Sequence, residues 1–120
     1  MKKHVLVVSH GSREASANSD FKKLVAQYRR KHSDWVIAHA FLELAEPSIP
    51  QALKSFVGKT KEINVLPLFL FQARHVKEHI PTILKTFQKE NPEIKVRLGK
   101  PLGPEPKLLA ILDQRLKQTR

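Results

Sequence analysis

Two histidines carry the first chemical signal in this chain. His10 closes the run Val5-Leu6-Val7-Val8-Ser9, just ahead of Gly11, Ser12 and Arg13. His75 follows the apolar run Leu68-Phe69-Leu70-Phe71 and the short stretch Gln72-Ala73-Arg74. Imidazole nitrogen suits cobalt, nickel, iron and zinc, and a neutral histidine is a base near pH 7. Two histidines leave a metal site incomplete, and an open, weak site suits a protein that must release its ion. A carboxylate from Glu43 or Glu46 can add an oxygen ligand or hold a substrate. Each residue also has a plainer role open to it. A histidine can be structural in a turn, and Glu46 can simply favour a helix N-terminus. Two histidines that converge on one place favour chemistry over coincidence.

The elements around them determine whether they converge. Val5 to Val8 reads as a strand buried on both faces, because β-branched residues fill it without polar alternation. Gly11 permits a sharp turn after it, and Ser12 can cap the next helix. Glu14 to His32 reads as that helix, with the stripe Phe21, Leu24, Val25 and Tyr28. Asp34 to Glu43 is the second strand, with Trp35, Ile37 and Phe41 on one side and His39 sharing their parity as a structural histidine. Ser48 and Gln51 fit a capping box, with Pro50 in the first turn of a helix that Gly58 stops. Its inward stripe is Ile49, Leu53, Phe56 and Val57.

Ile63 to Leu66 begins the third strand, and Pro67 should end regular pairing on at least one side. The third helix carries Ile80, Ile83, Leu84 and Phe87. Pro81 places its regular start near position 81, with His75 to His79 as an irregular lip. Ile94, Val96 and Leu98 alternate with Lys95 and Arg97 as an edge strand. After the Gly/Pro-rich loop 99–106, Leu108, Leu109, Leu112 and Leu116 mark a last helix.

Four strands alternating with four helices imply an α/β fold: a single four-stranded parallel sheet flanked by helices, flavodoxin-like, in the order 2-1-3-4. The winding then reverses between strands 1 and 3, where such sheets bind ligands. His10 ends strand 1 and His75 follows strand 3, so the two face one crevice.

The chain has 120 residues, and one domain over 1–120 is expected. It has no cysteine, which rules out disulfides and thiolate metal sites and fits a reducing compartment. No stretch suits a signal peptide or a membrane span, so a soluble, cytoplasmic protein without a membrane partner is expected. The net charge is +11, from 22 basic and 11 acidic residues dispersed along the chain. That balance favours a polyanionic partner. A nucleic-acid-binding module would explain the charge but would leave both histidines and the Pro67–Phe71 segment without a role. One Trp and one Tyr also make a poor base-stacking platform. A phosphoryl-transfer enzyme built on a strand-tip His-Gly is a further alternative, but histidine phosphatases carry arginine where Ser9 stands.

The segments Ser9-His10-Gly11-Ser12-Arg13, Phe41-Leu42-Glu43-Leu44-Ala45-Glu46-Pro47-Ser48, Pro67-Leu68-Phe69-Leu70-Phe71 and Arg74-His75-Val76-Lys77-Glu78 resemble the small sirohydrochlorin cobaltochelatases. These are class II tetrapyrrole chelatases, which need no nucleotide. The resemblance runs through Pro101-Leu102-Gly103-Pro104. It implies insertion of a divalent ion into sirohydrochlorin, with cobalt expected and iron or nickel as alternatives on the same ring. The ion is a substrate, and no permanently bound cofactor is implied. By resemblance, His10 is catalytic, and His10 and His75 contact the metal. Glu46 and the segment Leu70, Phe71, Gln72, Ala73, Arg74 line the tetrapyrrole site. Ser12, Arg13 and Glu43 join them as substrate-binding candidates. Arg13 and Arg74 suit the ring's carboxylates by bidentate geometry. A homodimer is expected, because a broad flat ring needs a second wall.

Overall fold

The structure, a computed structural model, describes residues 2–119 and, at position 75, the backbone alone. The elements run β1 (His4–Ser9), α1 (Ala15–Lys31), β2 (Val36–Phe41), α2 (Ile49–Lys54), β3 (Glu62–Pro67), α3 (Arg74–Glu90), β4 (Lys95–Leu98) and α4 (Lys107–Lys117). One four-stranded parallel sheet has the order β2-β1-β3-β4, as the alternation implied.

β1 is central, so side chains on both of its faces are covered. Leu6 and Val8 meet Ile49, Leu53 and Phe56 around α2, and Ile80 and Leu84 of α3. Val5 and Val7 meet Phe21 and Val25 of α1, with Ile37 and Phe41 of β2. A strand with helices on both sides needs no polar alternation, which is why the run is apolar throughout. No helix among the described residues is long and apolar enough to cross a membrane.

The local signals around α2 hold in detail. Gln51 N donates to Ser48 Oγ at 3.3 Å, and Ser48 N donates to Gln51 Oε1 at 2.8 Å, closing the capping box. Pro67 pairs with Val8 of β1 while the β3–β4 ladder ends at Val65–Leu98, so pairing fails on one side only. Leu68 N continues to Val8 O at 2.7 Å.

Four expectations need correction. β2 is shorter than Asp34–Glu43, although backbone hydrogen bonds beside β1 continue past its end. Helix α3 begins at Arg74 and runs through Pro81. Its buried stripe starts a turn earlier than expected, at Val76, and continues through Ile80, Leu84 and Phe87. The carbonyl that Pro81 leaves without an amide partner belongs to the exposed Lys77, so solvent can satisfy it. Val57 is exposed, because α2 ends at Lys54 and the helical phase does not carry to it. Finally, Leu24 of α1 and Leu109, Leu112 and Leu116 of α4 lie open to solvent, while Leu108 is half-buried.

Candidate metal and substrate site

Because the strands are parallel, their carboxyl ends share one edge of the sheet. The segments 10–14, 42–48, 68–73 and 99–106 all leave from that edge. His10 stands one residue past β1. Beside it, Leu42 N donates to Ser9 O at 2.8 Å and Glu43 N donates to His10 O at 3.0 Å. These bonds extend the β1–β2 alignment by two residues and bring Glu43 next to His10.

Gly11 makes that approach possible. Its φ is +96°, and a β-carbon there would lie 1.8 Å from the Glu43 carbonyl oxygen. Only a residue without a side chain lets the two loop backbones close to this distance. Leu44, the residue after Glu43, takes a φ of +67°. For a branched side chain this is a strained conformation, of the kind found where a site demands it.

The side chains meet as the backbones do. His10 Nε2 lies 3.2 Å from Glu43 Oε1, and the two side chains are 44% and 52% exposed. His10 Nδ1 lies 3.2 Å from the Gly11 carbonyl oxygen. The roles of the ring nitrogens follow the tautomer: a proton on Nε2 donates to the Glu43 carboxylate, whereas a proton on Nδ1 donates to the Gly11 carbonyl and leaves the Nε2 lone pair for a metal ion shared with Glu43. Two donors each about 2.1 Å from one ion and subtending roughly 100° lie about 3.2 Å apart. The pair therefore has the spacing of two ligands of one divalent ion, and it is open to solvent for exchange.

The remaining predicted residues fall around this pair. Phe69 packs its ring near His10, with centroids 6.3 Å apart at 67°. Leu70 and Phe71 are exposed beyond it, Gln72 is partly buried, and Ala73 is the N-cap of α3. Arg74 is exposed, with Nε 3.5 Å from Glu78 Oε1 one turn along. Arg13 and Glu46 are exposed in the loops after β1 and β2. The backbone of His75 lies in the first turn of α3, and its side chain lies outside the described residues. Among the described residues no three His, Asp or Glu side chains cluster as a metal site.

Ser12 does not cap α1, whose N-cap is Glu14. Its Oγ accepts from Glu14 N at 3.1 Å, closing a short turn ahead of the helix. Asn18, which sequence reasoning missed, braces the same loop. Its Oδ1 accepts from Ser12 N at 3.0 Å and its Nδ2 donates to Ser12 O at 2.8 Å. An Asn in the first turn of a helix that follows a strand-tip loop was the available signal.

A family model described as CbiX matches residues 4–119. The sirohydrochlorin cobaltochelatase of Methanococcoides burtonii is 38% identical over 109 residues, covering 82% of this chain and 82% of that protein. The chloroplastic sirohydrochlorin ferrochelatase of Arabidopsis thaliana is 34% identical over 113 residues, covering 93% of this chain and 50% of that protein. A solved structure of the sirohydrochlorin chelatase SirB from Bacillus subtilis subspecies spizizenii in complex with cobalt has a TM-score of 0.90 and 31% identity. It covers 98% of this chain and 51% of that one. The chain thus spans about half the length of some relatives and most of the length of others.

Proposed function

The chain belongs to the CbiX family, and from that premise we propose that it inserts a divalent metal ion into sirohydrochlorin without a nucleotide. The single observation that carries the reading is the His10–Glu43 pair, with nitrogen and oxygen donors 3.2 Å apart at the strand tips. Cobalt is the metal we assign. The supporting fact is one of length: the cobaltochelatase relatives from Methanococcoides burtonii and Methanosarcina acetivorans match this chain over 82% and 94% of their own lengths. Relatives named as ferrochelatases keep iron as the alternative, and nickel is a third on the same ring.

Insertion makes three demands. The ion must shed water, which His10 Nε2 and the Glu43 carboxylate replace, with His75 as the third ligand we assign. The ring must lose two pyrrole protons as its nitrogens take the ion. The donors vacated by the ion are then free to accept those protons, so the ligand and base roles of His10 are sequential. The ring must also be held, and the exposed Leu70 and Phe71 offer an apolar contact beside the pair. Glu46, Ser12, Gln72 and Ala73 complete the lining we assign, and Arg13 and Arg74 meet the ring's carboxylates. Residues 1–120 form one chelatase-like unit, which works as a homodimer whose second copy supplies the facing wall.

Mixing the protein with metal-free sirohydrochlorin and each of Co2+, Fe2+ and Ni2+ in turn tests this. The absorption change should outrun the enzyme-free rate without added nucleotide, and most strongly with Co2+. Rates equal to the enzyme-free control with every ion would remove the proposal.

A further inference from the structure

The basic charge of this chain gathers at the end of the sheet away from His10. The loops 10–14, 42–48, 68–73 and 99–106 leave the site edge with Arg13 and Lys100 against Glu14, Glu43, Glu46 and Glu105, two cations against four carboxylates. The segments that enter the strands at the opposite edge, 2–3, 32–35, 55–61 and 91–94, carry Lys2, Lys3, Lys59 and Lys61 against Asp34 and Glu93. The last turns of α1, α2 and α3 add basic residues there, which offset the negative ends of those helices. The lysines of the strand-entry segments lie outside any helix, so the helix ends do not account for them.

Those lysines line a cleft of about 1060 Å³. Lys2, Lys3, Lys59 and Lys61 are joined there by Lys95, the first residue of β4, and all of them are exposed. Glu62 and Glu93 share the cleft, but Glu62 is already engaged by Arg97, with Nε 3.0 Å from its Oε1. The cleft therefore keeps a surplus of positive charge. Its frame is held by hydrogen bonds. Lys95 N donates to Lys61 O at 2.8 Å, and Thr60 Oγ1 accepts from Glu62 N at 3.2 Å. Asn64 Nδ2 donates to His4 O at 3.2 Å, and His4 Nδ1 lies 3.0 Å from Lys2 O. β1, β3 and β4 are neighbours in the sheet, so the lysines spread across three strands about 4.8 Å apart. That is the span of a row of anionic groups and not of a single ion.

The residue types choose among anions. Carboxylates favour the planar fork of arginine, which the site edge supplies as Arg13 and Arg74, whereas lysine meets phosphate as a mobile point charge. Among the described residues no arginine lines the cleft. Its apolar lining is slight, with Ile94 buried and Val57 exposed, so a broad apolar ring finds no wall here like Leu70 and Phe71. A nucleic acid would ask for stacking rings beside the phosphates. The cleft offers His4, whose ring is already packed edge-on against Phe56. We propose that this cleft is a second binding site, separate from the metal and substrate site, for a small molecule bearing a linear polyphosphate, either inorganic or carried by a nucleotide. It binds the phosphate chain without cleaving it, which leaves the nucleotide-free insertion proposed above unchanged. Long-range attraction of a polycarboxylate depends on the charge of the whole molecule and is compatible with a local surplus at this edge.

Calorimetric titration with inorganic tripolyphosphate, ATP and benzenehexacarboxylate tests this, without metal ions and at about 0.1 M salt, where charges beyond roughly 10 Å are screened. Tripolyphosphate and ATP should each bind at one site per chain, and more tightly than the hexacarboxylate. Tripolyphosphate as tight as ATP or tighter would assign recognition to the phosphate chain alone, and a tighter ATP would add a contribution from the nucleoside. A hexacarboxylate that binds as tightly as tripolyphosphate, or no binding of either phosphate, would overturn the proposal. Lys59→Gln with Lys61→Gln and Lys95→Gln should raise the dissociation constant for tripolyphosphate about 10-fold or more, because three modest charge pairs are lost together. Lys22→Gln with Lys23→Gln and Lys107→Gln removes the same charge from α1 and α4, outside the cleft, and should raise it less than about 3-fold. Equal weakening in the two variants would reduce the binding to net charge and overturn the site. Amide chemical shifts of the parent protein make the test independent of both variants. On addition of tripolyphosphate the changes should centre on residues 57–64 and 93–95. Changes centred on Arg13 and Arg74 would place the anion in the metal and substrate site and overturn the proposal.

Discussion

At the scale of single residues, His10 and Glu43 divide one task. His10→Ala removes the nitrogen donor from an exposed strand tip, so the fold should survive while insertion falls at least 100-fold. Glu43→Gln keeps the shape and loses the charge, so it should raise the metal concentration needed for half-maximal rate more than it lowers the maximal rate. Parent-like rates for His10→Ala would remove His10 from the mechanism. His39 belongs to a different problem. Its ring packs edge-on against Phe21 and Phe41. Burial, then the charges of Arg29 and Lys22, lower its pKa from the ordinary 6.5. The folded state therefore binds fewer protons than the unfolded chain once pH falls below that ordinary value. Stability is untouched well above pH 6.5 and is lost as pH drops through it toward the lowered value. His39→Gln should flatten the fall in melting temperature between about pH 7.5 and 5.5. An unchanged slope would assign the acid sensitivity to other groups.

At the scale of elements, the site depends on two loop backbones kept in contact. Gly11 occupies a conformation that opposes a β-carbon and faces the Glu43 carbonyl directly. The left-handed backbone alone costs a non-glycine residue roughly 1–2 kcal/mol, and the overlap with Glu43 adds to it. Gly11→Ala should lower stability by about 2 kcal/mol or more in denaturant unfolding. It should also weaken metal binding, because relief of the overlap moves Glu43 away from His10. Stability and metal affinity equal to the parent would show that the loops can part without loss. The third helix illustrates the opposite balance. A proline in its interior removes one hydrogen bond, but the stripe from Val76 to Phe87 buries four apolar side chains on the sheet and keeps the helix continuous.

At the scale of the whole molecule, the +11 charge bears on capture of the ring. A polycarboxylate approaching a basic surface is drawn in over distances that salt shortens to about 10 Å at 0.1 M. The apparent Michaelis constant for sirohydrochlorin should therefore rise with ionic strength, while that for the cation rises less or falls. A constant independent of salt would reduce the charge to a matter of solubility.

Much of the fold was legible because local patterns report local burial. The unbroken Val5–Val8 run marks a strand covered on both faces, Ser48 with Gln51 marks a helix start, and the strand–helix alternation leads to the order 2-1-3-4. The same reasoning placed His10 at a strand tip. Periodicity does not reveal which distant residue stands beside another. Glu43 gained its place next to His10 only through the β1–β2 register, continued by two backbone hydrogen bonds, and through the close approach at Gly11. Pro81 looked like a helix start because the local rule weighs a lost hydrogen bond and is blind to the packing that outweighs it. The leucines of α4 show the same division: spacing determines that the helix has an apolar face, and only the tertiary arrangement decides what, if anything, that face meets.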